Sequence, residues 1–343
     1  MNQVPSFAVV SGAQVHQVLG GREEEVVATI EAAYRLHGEG QTVNPDSYFL
    51  RFPDRPSSRI IALPASIKGD VEVHGIKWIS SFPENVAAGI PRASAVLILN
   101  DAETGYPFAC LESSIISAAR TAASAALAAA RLGEARGQRP TRVGFFGVGL
   151  IARYVHRYLA GSGFAFESIG VHDVSAEYAE GFAGYLRRAE GADREITIHD
   201  KAEDLIRSSD LVVFATVAGE PHVSDPRWFA HNPLVLHVSL RDLSPEIVLD
   251  SWNIVDDIEH CMKANTSPHL AEQVVGHREF VAGTLYDVLT GAIAPPTDRP
   301  VVFSPFGLGV LDMAVAKYVY DRVREADGLH TVPDFFHELK RYG

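Results

Sequence analysis

The sequence predicts an α/β protein of two domains, one α+β and one built on a doubly wound parallel sheet. The chain has 343 residues, which exceeds the size at which a single core usually stops growing. Short strand-like runs crowd its first third, whereas apolar runs and helical segments alternate after residue 141. Between these two patterns lies a polar stretch, 133–141, that is broken by Gly and Pro, and it predicts a domain boundary.

The first predicted domain, residues 1–130, begins with one helix and continues with strands, a hairpin and a long Ala-rich helix. Turn-forming residues from Asn100 to Gly105 separate two apolar runs, which predicts the hairpin. The predicted helices are Glu23–Leu36 and Ser113–Leu132, and the predicted strands are Tyr48–Phe52, Arg59–Pro64, Val73–Ile79, Ala95–Leu99 and Tyr106–Leu111.

The second predicted domain, residues 131–304, has the alternation of a parallel sheet. Its predicted strands are Val143–Phe146, Ile169–Val171, Ile196–Ile198, Leu211–Ala215 and Leu234–Val238. A last amphipathic helix, about Leu308–Ala326, is expected to return the segment 305–343 to the first domain.

The strand at 143–146 runs into Gly-x-Gly-x-x-Ala and then a helix. Gly147 permits a tight turn, Gly149 lets the backbone approach a pyrophosphate, and Ala152 allows close packing of helix on strand. The anion is then expected on the N–H groups at the helix start, including Leu150 and Ile151. The pattern predicts a Rossmann-type dinucleotide site, although a glycine-rich turn alone has the same spacing.

An acid follows the next predicted strand and strengthens this interpretation. Asp173 lies about 20 residues beyond the glycines, where a carboxylate accepts the ribose hydroxyls and repels a 2′-phosphate, so NAD is favoured over NADP. The alternative is a surface aspartate beside a glycine turn. Thr216 ends another strand and is a candidate for the nicotinamide half, or simply a strand-end hydroxyl.

Charge and composition exclude several classes of function. The net charge is -13 without a basic cluster, which argues against nucleic acid as a partner. We find neither a leader-like N-terminus nor an apolar run of membrane-spanning length, so we expect a cytoplasmic protein away from membranes. Cys110 and Cys261 have no metal-type spacing, and we expect no disulfide and no metal site.

Three cations of the first domain stand in apolar or strand-like surroundings: Arg51, Lys77 and Arg120. A charge on a packing face is costly unless it is paired, so each needs a carboxylate. An internal salt bridge is the ordinary explanation for any one of them. Together, beside a predicted nicotinamide site, they indicate a small-molecule substrate rich in carboxylates.

Several motifs resemble the ornithine cyclodeaminase and mu-crystallin family: Gly75-Ile-Lys-Trp, Arg92–Asp101 with Thr104-Gly105, Ser117-Ala-Ala-Arg-Thr, the glycine turn, and Phe303–Asp312. The resemblance covers nearly the whole chain. The phrases around Arg59, Lys77 and Leu111-Glu112 are similar to those of the branch that oxidatively cleaves N-(2-amino-2-carboxyethyl)-L-glutamate, an amino-acid derivative, for siderophore or peptide antibiotic biosynthesis.

The resemblance implies roles for individual residues. Lys77 and Arg120 would bind substrate carboxylate with Arg51 assisting, and Arg120 would also contact the cofactor. Asp242 and Lys77 would be the catalytic residues. Asp242 would be the proton relay, with a pKa raised toward neutrality by partial shielding, or else a cap of the following turn, in which case Lys77 is the first alternative relay. Glu112 would orient Arg120. A homodimer built through the first domain is also implied, because its short strands would otherwise leave exposed edges.

The resemblance also leaves alternatives open. Arg241, beside Asp242, is a candidate for an extra substrate carboxylate or an ordinary surface arginine. Ornithine cyclodeaminases commonly carry Gly-Ala-Asp or Gly-Ser-Asp followed by Pro-Gly-Lys where this chain has Leu240-Arg-Asp-Leu-Ser-Pro245. The favoured function is therefore NAD-dependent cleavage to L-2,3-diaminopropionate, 2-oxoglutarate and NADH. A cyclodeaminase, an imine or amino-acid reductase, and a binding protein without turnover are the alternatives.

Overall fold

A computed structural model describes residues 6–191, 194–337 and 339. It separates into two compact units. The first runs to Arg120 and resumes at Leu308, and the second is Thr121–Gly307. The C-terminal segment from Leu308 thus belongs to the first unit, and the division between the units falls within the long Ala-rich helix.

The elements are numbered along the whole chain. The strands are β1 Phe7–Val10, β2 Thr42–Val43, β3 Tyr48–Phe52, β4 Arg55–Ile67, β5 Val73–Ser81, β6 Ala93–Asn100, β7 Pro107–Glu112, β8 Arg142–Phe146, β9 Ser168–His172, β10 Glu195–Ile198, β11 Leu211–Phe214, β12 Leu234–His237, β13 Trp252–Val255, β14 Val281–Thr284, β15 Val301–Ser304 and β16 His330–Val332.

The helices are α1 Gly12–Leu19, α2 Glu23–Gly38, α3 Ser114–Ala135, α4 Leu150–Gly161, α5 Ala176–Glu190, α6 Ala202–Arg207, α7 Pro245–Asp250, α8 Ile258–Cys261, α9 Ser267–Val275, α10 Leu285–Leu289 and α11 Gly309–Glu325. The helices and strands named in the sequence prediction all occur, with ends shifted by a few residues.

The first unit is a mixed sheet in the order β16-β1-β7-β6-β5-β4-β2, with β3 also on β4. The pair β1 and β7 is parallel and the other neighbours are antiparallel. Alternation decides which face is buried: on β6, Leu97 and Leu99 are buried while Ser94 and Val96 are exposed. The predicted hairpin joins β6 and β7, and Gly105 adopts a positive φ of 73° in its turn.

Helix α11 packs on the buried face of this sheet at a glycine. A Cβ on Gly75 would lie 2.3 Å from the carbonyl oxygen of Ile98 and 2.7 Å from the sulfur of Met313. Only a residue without a side chain therefore allows the helix to approach β5 this closely. The close approach places the first turn of α11 beside Lys77, which is also on β5.

The second unit is a parallel sheet in the order β10-β9-β8-β11-β12-β15-β13-β14. All four residues of each of the strands β11, β12 and β15 are buried, as expected when helices cover both faces of a parallel sheet. The predicted α/β class, a doubly wound domain with an α+β domain, is confirmed. The strands β13, β14 and β15 were not predicted.

Three features bear on membrane proteins, metalloproteins and disulfide-bonded proteins. Within the described residues, no helix is both long and apolar enough to span a bilayer. The same residues hold no group of three or more His, Cys, Asp or Glu side chains arranged to bind a metal ion. Both cysteines are free, with Cys261 buried and Cys110 partly buried.

Candidate active site

The glycine turn after β8 has the conformation that a dinucleotide phosphate requires. Gly147 has a φ of 72°, and a Cβ there would lie 2.8 to 2.9 Å from backbone atoms of Ala215 and Thr216, so only glycine fits. Gly149 caps α4, and a Cβ at that position would meet no atom within 4 Å. The turn is thus open on the side from which the sequence predicts a pyrophosphate to approach.

Helix α4 begins at this turn with the predicted residues. Leu150 is its first residue and half-exposed, Ile151 follows, and Ala152 is fully buried. Because the first N–H groups of a helix have no partner within it, they are available to an anion, and the helix dipole favours negative charge there.

Asp173 follows β9 and is fixed against the same turn. Its Oδ2 accepts a hydrogen bond from the N–H of Val148 at 3.1 Å, and its Oδ1 accepts one from the N–H of Ser175 at 2.9 Å. Each carboxylate oxygen has a second lone pair, which leaves capacity for ribose hydroxyls. The residues present therefore fit a dinucleotide that carries an unphosphorylated 2′-hydroxyl.

Asp242 lies beyond the carboxyl end of β12 and is completely buried. Its Oδ1 accepts hydrogen bonds from the Thr216 hydroxyl and from Nε2 of His222 at 2.9 Å. Its Oδ2 accepts one from Oγ of Ser239 at 2.5 Å and lies 3.2 Å from Nε2 of His237. The structure thus brings together two predicted residues, Asp242 and Thr216, with three that were not predicted.

The two histidines differ in how they contact Asp242. The backbone N–H of Asp242 points at Nε2 of His237 at 3.1 Å, and it can only donate. A neutral His237 therefore accepts there with Nε2 and donates from Nδ1 to Oγ of Ser304, 3.1 Å away. His237 is completely buried, whereas the side chain of His222 is 41% exposed. His222 is consequently the imidazole that donates to the carboxylate while remaining accessible.

The pKa of Asp242 is lowered, which contradicts the expectation of a value raised toward neutrality. Burial by itself raises this pKa, but the hydrogen bonds that the carboxylate accepts from His222 and Ser239 outweigh it. Asp242 is therefore an anion at neutral pH and a weak proton acceptor. Its chemistry is better suited to orienting His222 and stabilising the imidazolium than to taking the proton itself.

Lys77 of β5 is completely buried and bound to an internal carboxylate. Its Nζ lies 2.6 Å from Oδ2 of Asp312, and Nε of Arg120 lies 3.2 Å from Oδ1 of the same residue. Asp312 stands in the first turn of α11, where the helix dipole favours negative charge. Nζ also donates to Oγ of Ser117 at 3.4 Å. Two cations share one carboxylate, so this cluster retains one uncompensated positive charge.

The surroundings of Lys77 also change its pKa. The pKa of Lys77 is lowered to about 8, because burial lowers it more than the neighbouring Asp312 raises it, and Arg120 adds to the lowering. The ammonium of Lys77 is therefore present at neutral pH and titrates just above it. A substrate carboxylate would encounter a cation that responds to pH within the working range of most enzymes.

The other predicted site residues are placed differently. Arg51 is exposed, with its guanidinium 4.9 Å from the centre of the Phe49 ring. Glu112 was expected to orient Arg120, but its carboxylate accepts the N–H groups of Ser114 at 2.7 Å and Ile115 at 3.3 Å at the start of α3. Asp312, and not Glu112, is the carboxylate that orients Arg120.

Arg241 was considered for an extra substrate carboxylate. Its guanidinium instead donates two hydrogen bonds, at 3.1 and 2.6 Å, to the carbonyl oxygen of Ala264. These bonds tie together two loops of the second unit, in which Leu240, Ala264 and Asn265 all have positive φ. The arginine stabilises this strained backbone.

The residues missed in the sequence fall into two kinds. Asp312 lies within a recognised motif, and His237 and Ser239 lie just before the phrase that contains Asp242, but nothing in the sequence marks which of these residues face one another. An aspartate inside the apolar helix α11 was a usable signal for a buried ion pair. His222 lies in a loop without periodicity and gave no signal.

The sequence model of the ornithine cyclodeaminase/mu-crystallin family matches residues 12–327 of this chain. This chain belongs to that family. N-((2S)-2-amino-2-carboxyethyl)-L-glutamate dehydrogenase of Staphylococcus aureus is 27% identical over 321 residues, which cover 91% of this chain and 94% of that relative. The resemblance noted in the sequence is confirmed.

Two solved structures share the fold of this family member over nearly its whole length. The crystal structure of CmnK has a TM-score of 0.85 and 29% identity, with 97% of this chain and 100% of that chain covered. An archaeal alanine dehydrogenase dimer with bound NAD has a TM-score of 0.83 and 24% identity, with 96% and 100% covered. These similarities show a common fold over nearly the whole chain.

Proposed function

We propose that the protein is an NAD-dependent dehydrogenase that cleaves N-(2-amino-2-carboxyethyl)-L-glutamate to L-2,3-diaminopropionate and 2-oxoglutarate. The observation that carries the proposal is the uncompensated positive charge of the cluster formed by Lys77, Arg120 and Asp312. This charge calls for an anionic substrate, and the full-length similarity to the staphylococcal dehydrogenase supports this particular one.

The second unit would hold the cofactor. The N–H groups at the start of α4 would bind the pyrophosphate beside Gly149, and Asp173 would accept the ribose hydroxyls. NAD, when bound, accepts a hydride from the glutamyl α-carbon. Asp173 would repel a 2′-phosphate, so we expect NAD to be preferred to NADP.

The first unit would hold the substrate carboxylates. Lys77 and Arg120 are already held in place by Asp312, so little side-chain entropy is lost when they bind an anion. Arg51 lies on the same face of the sheet and adds a second cationic position. We also propose, as the sequence predicts, that Arg120 contacts the cofactor.

Asp242 and His222 would handle protons. Oxidation of the C–N bond releases the amine proton, water adds to the resulting imine, and the carbinolamine breaks its C–N bond to give a ketone and an amine. His222 would accept the released proton, and the anionic Asp242 would stabilise the imidazolium through the 2.9 Å hydrogen bond. The complete reaction converts the amine, NAD and water into 2-oxoglutarate, diaminopropionate, NADH and one proton.

Incubation of the purified protein with NAD and N-(2-amino-2-carboxyethyl)-L-glutamate tests the proposal. We expect NADH absorbance to rise in equal amount with 2-oxoglutarate, and no proline from L-ornithine. Proline and ammonia without net NADH would show a cyclodeaminase instead. Turnover of L-alanine with NAD would show an amino-acid dehydrogenase, and cofactor binding without turnover of any amine would show a binding protein.

We further propose a homodimer formed through the first unit. Tyr48, Ala62, Trp78 and Val96 are directly opposite one another on four neighbouring strands, on the face that α11 does not cover. Tyr48, Trp78 and Val96 are exposed at 72%, 41% and 43%. A continuous apolar row of this kind is typical of a protein interface, and a second copy of the chain, whose identical face is equally apolar, is the occupant we propose.

Sedimentation of the protein across a concentration series tests this assembly. We expect a dimer for the wild type and a monomer for Trp78→Lys. Tyr178→Lys, which alters an equally exposed aromatic residue on α5, is the control and should leave the mass unchanged. A monomeric wild type, or a dimeric Trp78→Lys variant, would refute the interface.

A further inference from the structure

A second group of cations lies on the face of the first sheet that carries Lys77. Arg51 on β3 is directly opposite Arg59 on β4, and Arg59 is directly opposite Ser81 on β5. Residues directly opposite on neighbouring strands point to the same side, and Ser81 is four residues from Lys77, so this row shares the face of Lys77.

Arg92, just before β6, completes this group. Its Nη1 donates a 2.8 Å hydrogen bond to Oγ of Ser81, which is itself only 6% exposed. Among the described residues, no carboxylate lies within salt-bridge distance of Arg92 or of Arg51. A half-buried guanidinium held by a neutral hydroxyl has lost part of its hydration without gaining a counter-charge, which is costly unless an anion binds.

The distance between the two cationic groups matters for what they can bind. Ser81 lies about 13 Å along the strand from Lys77, at roughly 3.3 Å per residue. Lysine and arginine side chains are long enough to extend into this interval from both ends. One small molecule with carboxylates at its two ends can therefore reach both groups, whereas a simple amino acid reaches only one.

We propose that Arg92, together with Arg51, binds a second carboxylate of the substrate, separate from the one bound by Lys77 and Arg120. Arg92 is thus a specificity residue that selects substrates and products with two or more carboxylates over those with one. This inference rests on the proposed function for the identity of the substrate. It does not depend on which dicarboxylic compound is used.

Two probes that differ in one group test the proposal without turnover. 2-Oxoglutarate and 2-oxopentanoate have the same chain, but the second has a methyl group in place of the terminal carboxylate. We expect the wild type with NAD to bind 2-oxoglutarate about tenfold or more tightly than 2-oxopentanoate, the range for a charge-assisted contact, as measured by calorimetry. Arg92→Gln should lose this preference and bind 2-oxopentanoate as the wild type does.

Two further variants make the test independent of folding. Arg55→Gln removes an exposed arginine that pairs with Asp54, so it is the charge-matched control and should keep the preference. Ser81→Ala keeps the charge of Arg92 but removes the hydroxyl that orients it, and should reduce the preference severalfold. Melting temperatures of all variants show which of them are folded.

The outcomes separate the two proposals. Equal binding of both probes by the wild type would overturn the role of Arg92. An unchanged preference in Arg92→Gln, or an equal weakening of both probes' binding in that variant, would overturn it as well. A preference that depends on Arg92, in a protein that does not oxidise N-(2-amino-2-carboxyethyl)-L-glutamate, would support the inference and refute the proposed function. If Arg92→Gln does not fold, an unchanged preference in Ser81→Ala overturns the proposal.

Discussion

Two carboxylates of this protein are completely buried, and their surroundings differ in one respect. Asp312 in the first unit lies between Lys77 and Arg120, whose charges are permanent at neutral pH or nearly so. Asp242 in the second unit is surrounded by two hydroxyls and two imidazoles, which carry no obligatory charge. If burial were the only observation, the same role would be assigned to both carboxylates.

The difference shows that the donors around a buried acid indicate its role better than the burial does. Fixed cations around Asp312 make an ion-pair cluster that positions Lys77 and Arg120 and leaves positive charge for a ligand. The imidazoles and hydroxyls around Asp242 can each donate a proton in a hydrogen bond, so that cluster is suited to passing protons. The following predictions test this contrast, from the largest expected effect to the smallest.

Asp242→Asn should lower turnover by about 10²- to 10⁴-fold, the range for loss of a general acid or base system. The amide keeps the shape of the side chain but cannot stabilise an imidazolium on His222. The measurement is NADH formation at saturating substrate, with NAD affinity determined in parallel and expected to change little. His222→Gln should reproduce most of the loss. Near-normal turnover of Asp242→Asn with a lowered melting temperature would mean that Asp242 is a structural cap.

Asp312→Asn should destabilise the protein by about 3 to 5 kcal/mol, because it leaves two buried cations without a counter-charge. Urea unfolding measures the change in the free energy of unfolding. Asp321→Asn, on the same helix but in a more exposed pair with Lys317, is the matched control and should cost at most about 1 kcal/mol. Equal decreases in the free energy of unfolding of the two variants would show that the Asp312 cluster stabilises the protein no more than the Lys317 pair does.

The ratio kcat/KM should fall above pH about 8, the value to which burial lowers the pKa of Lys77. Substrate carboxylate binds the ammonium form, which is present below this pKa and is lost as the pH rises through it. The fall should be about tenfold per pH unit and appear mainly in KM. Lys77→Arg keeps the charge and should move the fall to higher pH. A pH profile identical in both proteins would remove Lys77 from substrate binding.

Asp173→Ala should weaken NAD binding by about tenfold or less while NADP binding stays the same or improves. The reason is that the carboxylate both accepts ribose hydroxyls and repels a 2′-phosphate. Fluorescence titration with each cofactor measures the two affinities. Equal weakening of NAD and NADP would show that Asp173 only fixes the glycine turn through Val148.

The sequence was sufficient for the architecture because its signals are local. The glycine turn, the acid after β9 and the period of the long helices each depend on neighbours in sequence. The strands β13 to β15 were not predicted, although they are no shorter than the predicted strands β10 to β12. Their place in the sheet comes from pairing with strands distant in the chain.

The site was predicted less completely, and the reason is sequence separation. Lys77 and Arg120 were predicted, but their partner Asp312 is 235 residues beyond Lys77. Without it, the sequence left open whether the counter-charge is an internal carboxylate or a carboxylate of the substrate. The lowered pKa of Asp242 also depends on hydrogen bonds from His222 and Ser239 that no spacing rule connects.

The glycine at which α11 meets the sheet limits how this protein can be altered. A methyl group at Gly75 would have to displace either the carbonyl of Ile98, which belongs to the neighbouring strand, or Met313, which follows Asp312 directly. Displacement of the helix would carry Asp312 away from Lys77 and separate an ion pair that the substituted residue never touches. A mutational scan of the first unit would thus find one of its least tolerant positions at a residue without charge or side chain.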